Sequence, residues 1–456
     1  MNLKFEANFF DVKKRIRISP FRKIIFGFAG VILLAALILM LPISSAEGKF
    51  TPFLDSLFTA TSATCVTGLV VHDTATYWSV FGQSVILILI QIGGMGVITL
   101  GSIFVMAAHK KISLAQRSAM QESINAQEMG SVVGFTGFLL KGMVIIELTG
   151  AVLLMPVMIK DFGIKGIWYA FFHSISAFCN AGFDLMGVRE QYSSLTAYTG
   201  NIYVNTVIML LIITGGIGFL TWRDVCTHGI HFSRYRLQTK IVLVTTAILL
   251  FLPAIFYYVN DLALSAFDGM TPTEKILASL FQSVTARTAG FNTIDLAKMS
   301  HAGLTIMIIL MLIGGSPGST AGGMKTTTIA VLVMSMIAVF KQKENTDCFG
   351  RRIEDDTVKH AAAIFMMYIL LFMAGTLVIS MNEDIPFLTC MFEAASAIGT
   401  VGVTLGITPG LGTVSHIVLI LLMFLGRVGG LTLIYATVAS VRNYAYKLPK
   451  EKIMVG

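Results

Sequence analysis

Charge is scarce in this sequence. Only 13% of its residues are Asp, Glu, Lys or Arg, about half of the roughly 25% that a soluble domain carries. That scarcity argues against an ordinary soluble fold. Cysteine is also sparse: five residues, at positions 65, 179, 226, 348 and 390. An odd number without framework spacing excludes a disulfide scaffold. No metal-ligand motif appears, and no nucleophile–base constellation supports a membrane enzyme.

What the chain does have is length in apolar runs. It is 55% hydrophobic with a mean hydropathy of +0.79, and many runs reach 18 residues or more, so a polytopic membrane protein is expected. The first run, 24–41, is longer than the roughly 7–15 residues of a signal-peptide core and reads as a span. The formal charge is +8, but its placement argues for topology rather than a polyanionic partner. Basic residues crowd the amino terminus, 109–130, 223–240, 341–360 and the carboxyl terminus, while six lie in the opposite loops. By the positive-inside rule both termini are cytoplasmic. No nucleic-acid partner is implied.

Four stretches resemble one another: SATCVTGL (62–69), SAFCNAGF (176–183), TARTAGF (285–291) and SAIGTVGV (396–403). Alignment on the last glycine puts Gly68, Gly182, Gly290 and Gly402 in register. Each stretch ends a short apolar segment of about 13–16 residues, too short to cross a core of about 30 Å as helix. Helix-start signals precede them: Pro52, Pro272 and Pro386 in first turns, and a Thr271/Glu274 capping-box pattern. A long apolar run stands on either side. The expected fold is therefore an all-α membrane protein of four covalently linked span–re-entrant pore helix–span repeats around one pseudo-fourfold pore. The repeats occupy 21–108, 131–222, 239–340 and 358–441, between cytoplasmic segments 1–20 and 442–456. Second spans are expected at 79–108, 202–222, 302–340 and 414–441, each carrying a glycine cluster (IGGMG, TGGIG, IGGSPG, VGG). In the first, second and fourth copies the clusters read as helix-packing glycines.

The third second span is interrupted by GGSPGSTAGGMKT (314–326). It resembles a phosphate-binding P-loop, but Met324 displaces Lys325 and Thr326 by one residue and no strand precedes it. Non-helical backbone at membrane depth is tolerated only within protein or beside water. Four equivalent loops on one axis can offer carbonyls that replace a cation's hydration shell. Each pore helix aims its negative carboxyl end there.

The four stretches, this loop and GRVGG (426–430) resemble the Trk/Ktr/HKT superfamily of potassium transporters, most closely the KtrB-type membrane subunits of bacterial Ktr systems. The resemblance spans essentially the whole chain. It implies potassium uptake through a selectivity filter whose backbone carbonyls hold K+: Val66, Thr67, Gly68 and Leu69; Asn180, Ala181, Gly182 and Phe183; Thr288, Ala289, Gly290 and Phe291; Thr400, Val401, Gly402 and Val403. It implies a gate loop comprising Gly314, Gly315, Ser316, Pro317, Gly318, Ser319, Thr320, Ala321, Gly322, Gly323, Met324 and Lys325. It further implies a homodimer in the cell membrane, docked on a cytosolic nucleotide-binding regulatory ring, and stimulation by sodium. No enzyme cofactor is expected, and any regulatory nucleotide belongs to the partner. Segments 109–130, 223–240 and 341–360 are the expected docking surface. Only the fourth strand, TVGV, approaches the TVGYG of potassium channels, which argues against very high selectivity. In plant members a serine at the first filter glycine goes with sodium; here that residue is Gly68.

Intramembrane charges need a reason. Arg427 reads as a cationic barrier contacting the gate loop. Lys325 ends that loop. Arg287, just before the third strand, is expected behind the filter, held by a carboxylate such as Glu393, both as filter support. Lys141 and Glu147 receive no function. The alternatives are a sodium-permeable or sodium-selective pore of the same fold, and an alternating-access carrier. A carrier usually breaks helices at corresponding positions in two halves.

Overall fold

The computed structural model describes residues 20–96, 132–260, 267–430, 432 and 451. The expectations for 1–19, 97–131 and 433–450 lie outside the described residues.

The first repeat contains α1 (Pro20–Leu39), α2 (Phe53–Cys65) and α3 (Val80–Met95). The second contains α4 (Val132–Phe162), α5 (Lys165–Phe178), α6 (Ile202–Ile217) and α7 (Phe219–His228). Next come α8 (Leu237–Asn260), α9 (Pro272–Thr285), α10 (His301–Leu312) and α11 (Thr326–Phe340). The fourth has α12 (Asp355–Asn382), α13 (Phe387–Gly399) and α14 (Thr413–Val428). Among the described residues the fold is helical apart from one small antiparallel hairpin, β1 (Asp347–Cys348) with β2 (Arg351–Arg352), in a segment between α11 and α12.

Four helices, α1, α4, α8 and α12, are long and apolar enough to cross a membrane. Their outer faces expose Leu34, Ile145, Leu252 and Leu370, apolar surface that lipid covers. α2, α5, α9 and α13 are the short helices. α9 has Pro272 at its first position and a complete capping box, the Thr271 N–H donating to Glu274 Oε2 at 2.8 Å. Pro52 and Pro386 occupy the N-cap itself rather than the first turn.

The second spans correct the sequence reading. A single interruption, in the third repeat, was expected. Instead α3, α6 and α14 stop after 16 residues each, about 24 Å of helix. Each ends at a glycine with positive φ: Gly96 (+81°), Gly218 (+98°) and Gly429 (+86°). After Gly218 the chain turns by 98° into α7. The residue that breaks each helix is the glycine three beyond the packing glycine, because only glycine takes that backbone without strain. The earlier glycines do pack. A Cβ on Gly93, Gly215 or Gly426 would overlap Thr64 O, Phe178 O or Ile398 O respectively. Each of those carbonyls lies four residues before the strand glycine of its own repeat.

The repeats close into a ring. α3 packs on α5, α6 on α9, α10 on α13, and α14 returns to α2. Each second-span helix thus seats the short helix of the next repeat, and the last seats the first.

Candidate functional site

The short helices all end at the centre of this ring, and each passes into an extended strand. α2 is capped by Val66 in the left-handed conformation and α13 by Thr400. Asn180 and Thr288 take the same conformation in the other two strands, so the four residues two before the glycines have φ of 57°, 58°, 68° and 51°. For β-branched Val66, Thr288 and Thr400 this is a strained backbone, of the kind that persists where surrounding structure enforces it. The glycines follow with positive φ: +95° at Gly68, +69° at Gly182, +88° at Gly290 and +97° at Gly402. Two left-handed residues separated by one give a strand whose carbonyls do not alternate as they do in a sheet.

Packing at the glycines defines the site. A Cβ on Gly68 would lie 2.5 Å from Ala181 O, one on Gly182 2.9 Å from Ala289 O, and one on Gly290 2.6 Å from Val401 O. A Cβ on Gly402 would overlap Thr67 O. Each glycine therefore faces the carbonyl that precedes the glycine of the next strand, in cyclic order. Thr67 O, Ala181 O, Ala289 O and Val401 O belong to one ring of oxygens with no side chain between strands. The neighbouring Leu69, Phe183, Phe291 and Val403 are buried behind it.

A hydroxyl at one position of every short helix ties the strand down. Ser62 Oγ accepts from Gly68 N (3.1 Å) and Ser396 Oγ from Gly402 N (3.0 Å). Ser176 Oγ donates to Phe183 O (2.6 Å), and Thr285 Oγ1 donates to Phe291 O (2.5 Å). Sequence reasoning missed this set, although the hydroxyl residue is the first letter of each repeated stretch.

The loop between α10 and α11 lies against the inner side of the strands. Gly322 faces Thr400, whose Oγ1 a Cβ there would overlap, and Gly323 faces Gly399 O. The loop is held from several repeats. Ser316 N donates to Gly216 O (3.0 Å) and Thr320 N to Gly215 O (3.2 Å) in α6. Thr320 Oγ1 donates to Phe178 O (3.1 Å) at the end of α5, and Phe219 N donates to Gly318 O (2.7 Å). Gly323 N donates to Gly426 O (3.2 Å) in α14. Gly314 and Gly315 start the loop, and Thr326 N donates back to Gly315 O (3.0 Å). Ser319 Oγ donates to Ser316 O (2.7 Å). Pro317 O faces Gly218 at the α6–α7 bend. Met324 and Ala321 are buried. Lys325 folds back on its own loop, its Nζ donating to Ala321 O (2.8 Å) and Gly322 O (3.2 Å).

Arg427 links three repeats. Its guanidinium donates from Nη1 to Thr320 O of the loop and from Nη2 to Gly93 O of α3. Arg427 has no carboxylate partner among the described ion pairs. Its two carbonyl acceptors are ones that a planar fork matches and an ammonium does not.

Arg287 and Glu393 are not partners, contrary to the expectation. Arg287 turns outward into its own repeat, with Nη2 donating to Thr246 Oγ1 of α8 at 3.3 Å. Glu393 turns to the outer end of its own strand, where Thr404 Oγ1 and Thr408 Oγ1 (3.1 Å) donate to it. Arg287 follows the end of α9 and Glu393 lies within α13, and each side chain turns towards its own repeat, which sequence spacing does not reveal. Glu147 is buried and accepts from Gln91 Nε2 at 2.6 Å.

Fold and site together define a multi-span membrane transporter built from four repeats around a single axis. The profile of the TrkH family, described as a cation transport protein, matches residues 19–444. The chain belongs to this family, a family of transporters rather than enzymes. It is 42% identical to the potassium/sodium uptake protein NtpJ of Enterococcus hirae, over 98% of this chain and 99% of that protein. It is 38% identical to the Ktr system potassium uptake protein B of Bacillus subtilis, over 98% of each. The fold is similar to that of the crystal structure of the potassium transporter TrkH from Vibrio parahaemolyticus. The TM-score is 0.72 and the identity 19%, covering 95% of this chain and 87% of the other.

Proposed function

We propose that this chain carries potassium into the cell through a pore whose filter is the four central strands and whose gate is the loop 314–325. The observation that carries this reading is the glycine ring. Four uncharged strands meet with carbonyls between them, and every side-chain position that would close the ring is glycine. Such oxygens can replace a cation's hydration shell without trapping it. The four short helices add their carboxyl-end dipoles at the same place.

The loop crosses directly inside the strands and is fastened to repeats 2 and 4, with Arg427 extending the tie to repeat 1. A guanidinium at that point adds a positive barrier below the filter. Moving the loop requires breaking neutral hydrogen bonds and the Arg427 contacts, which a partner acting on α11 could drive. The similar Bacillus subtilis protein is by name part of a Ktr system, so a cytosolic regulatory ring is proposed here as well. The homodimer and sodium stimulation are proposed on the same resemblance, and the cytoplasmic termini on the placement of the basic residues. In the docking surface, 223–240 and 341–360 meet through the edge-to-face pair Phe232–Phe349, with centroids 5.9 Å apart.

A second reading is a pore that also passes sodium. It is favoured by the similar protein named for potassium and sodium, and by three strands that depart from the TVGYG pattern. The test is ion flux in liposomes containing the purified chain, driven in turn by potassium and by sodium gradients. Potassium flux well above sodium supports the first reading, and equal fluxes the second. Flux of neither ion overturns both.

A further inference from the structure

The short helices hold the strands at a second level that neither the repeats nor the comparisons assign. Three residues before each strand-binding hydroxyl, on the same helix face, stands another buried polar residue: Thr59, His173, Gln282 and Glu393. They lie nine residues before the strand glycine, or eight in the shorter third repeat. Spacing of three puts both positions on one side of a helix. All four side chains are at most 1% exposed, which is unusual for Gln and Glu.

Three of the four grip the chain just beyond the glycine, at its outer end. His173 Nδ1–H donates to Tyr169 O (2.7 Å), which leaves Nε2 to accept from Leu185 N at 3.3 Å. Gln282 Nε2 donates to Thr293 Oγ1 at 3.3 Å. Glu393 receives Thr404 Oγ1 and Thr408 Oγ1, and Thr408 O in turn accepts from His416 Nε2 at 2.9 Å. Leu185 and Thr293 lie three residues after their glycines, and Thr404 lies two after. In the first repeat Thr59 Oγ1 has no hydrogen-bond partner among the described residues.

We propose that this helix position is a second positioning site for the filter. His173, Gln282 and Glu393 fix the outer ends of strands 2, 3 and 4, whereas strand 1 has no hold from this position and is tied one helical turn earlier, by Asp55 Oδ2 to His72 Nε2 (2.9 Å). The inference rests on the reading of the strands as the filter. Each of these residues acts through the backbone it holds and touches no ion. The differing chemistry grades the hold. Glu393 accepts two hydroxyl hydrogen bonds, from Thr404 and Thr408. Gln282 makes one neutral bond, and Thr59 makes none. From this helix position the carbonyl ring is therefore held unequally, most firmly at strand 4.

The experiment measures the potassium-to-sodium flux ratio in liposomes, with thermal melting of each purified variant alongside. Glu393→Ala lowers the ratio by about tenfold, the scale of losing two hydrogen bonds that hold the strand. Glu393→Gln, which keeps an acceptor, falls between Glu393→Ala and the native chain. Gln282→Ala has a smaller effect, and Thr59→Ala leaves the ratio unchanged. Thr404→Val breaks the same contact from the strand side and decides the question should Glu393→Ala not assemble. Reduced melting temperature with an unchanged ratio in both Glu393→Ala and Thr404→Val overturns the proposal. So does a loss in Thr59→Ala equal to that in Glu393→Ala. Gly402→Ser is measured in parallel. If it too leaves the ratio unchanged, the filter reading has failed; if it alone changes the ratio, only the positioning role has.

Discussion

Serine placed at the four ring glycines should impair the pore in a definite order. At Gly402 the new Cβ overlaps Thr67 O, with Gly68 Cα 2.9 Å away, and the backbone is at φ +97°. At Gly68 the nearest atom is Ala181 O at 2.5 Å with φ +95°, and at Gly290 it is Val401 O at 2.6 Å with φ +88°. Gly182 is the mildest case, with Gly290 Cα at 2.8 Å and Ala289 O at 2.9 Å, and its φ of +69° is nearest to the left-handed region that side chains enter. A side chain in left-handed backbone costs roughly 1–2 kcal/mol. Overpacking a close-fitted site costs about 1–3 kcal/mol more. Together this is about 2–5 kcal/mol, and the atom that must yield is a carbonyl of the ring. If about 1.4 kcal/mol of it reaches the bound ion, the half-saturating potassium concentration rises about tenfold. Gly402→Ser should exceed that, Gly68→Ser and Gly290→Ser should match it, and Gly182→Ser should fall short. The assay is potassium uptake against concentration in transport-deficient cells, with membrane expression measured for each variant. Unchanged half-saturation in all four, or Gly182→Ser as the most severe, refutes the argument from ring packing.

Arg427→Ala should raise flux several-fold with little change in the potassium-to-sodium ratio, because it frees Thr320 O and Gly93 O and leaves the strands intact. Arg427→Lys should not restore the native rate, since one ammonium does not span both carbonyls as the fork does. Loss of the flux ratio at an unchanged maximal rate in Arg427→Ala would place the residue elsewhere. Removing a few residues between Gly315 and Gly322 should raise flux and weaken its dependence on a regulatory subunit, measured in liposomes with and without that subunit. Unaltered flux and regulation would exclude the loop as gate. Thr246→Val leaves the buried Arg287 guanidinium without its described hydroxyl partner. It should destabilise the protein by roughly 1.5–3 kcal/mol, seen as a lower melting temperature in detergent, while selectivity stays native.

Some of this protein was legible in its residues alone. Low charge and long apolar runs dictate a membrane protein, because charge is excluded from hydrocarbon and spans need length. Four stretches in register dictate four like units, since equal patterns fold alike. The interruption at 314–326 announces itself through Pro317 and its glycines, which no membrane helix of that length accommodates. The breaks at Gly96, Gly218 and Gly429 were hidden. A glycine pair that packs and a glycine that ends a helix look the same in sequence, and only the backbone angle separates them. Partnership between charges was hidden too. Arg287 and Glu393 invite pairing by type, but each turns into its own repeat, and direction is a property of the assembled helices. The cyclic fit of Gly68, Gly182, Gly290 and Gly402 against one another's preceding carbonyls belongs wholly to tertiary structure. It arises because α14 packs back on α2, more than 300 residues away in the chain. Local sequence specifies each strand, but only closure of the ring brings the four together.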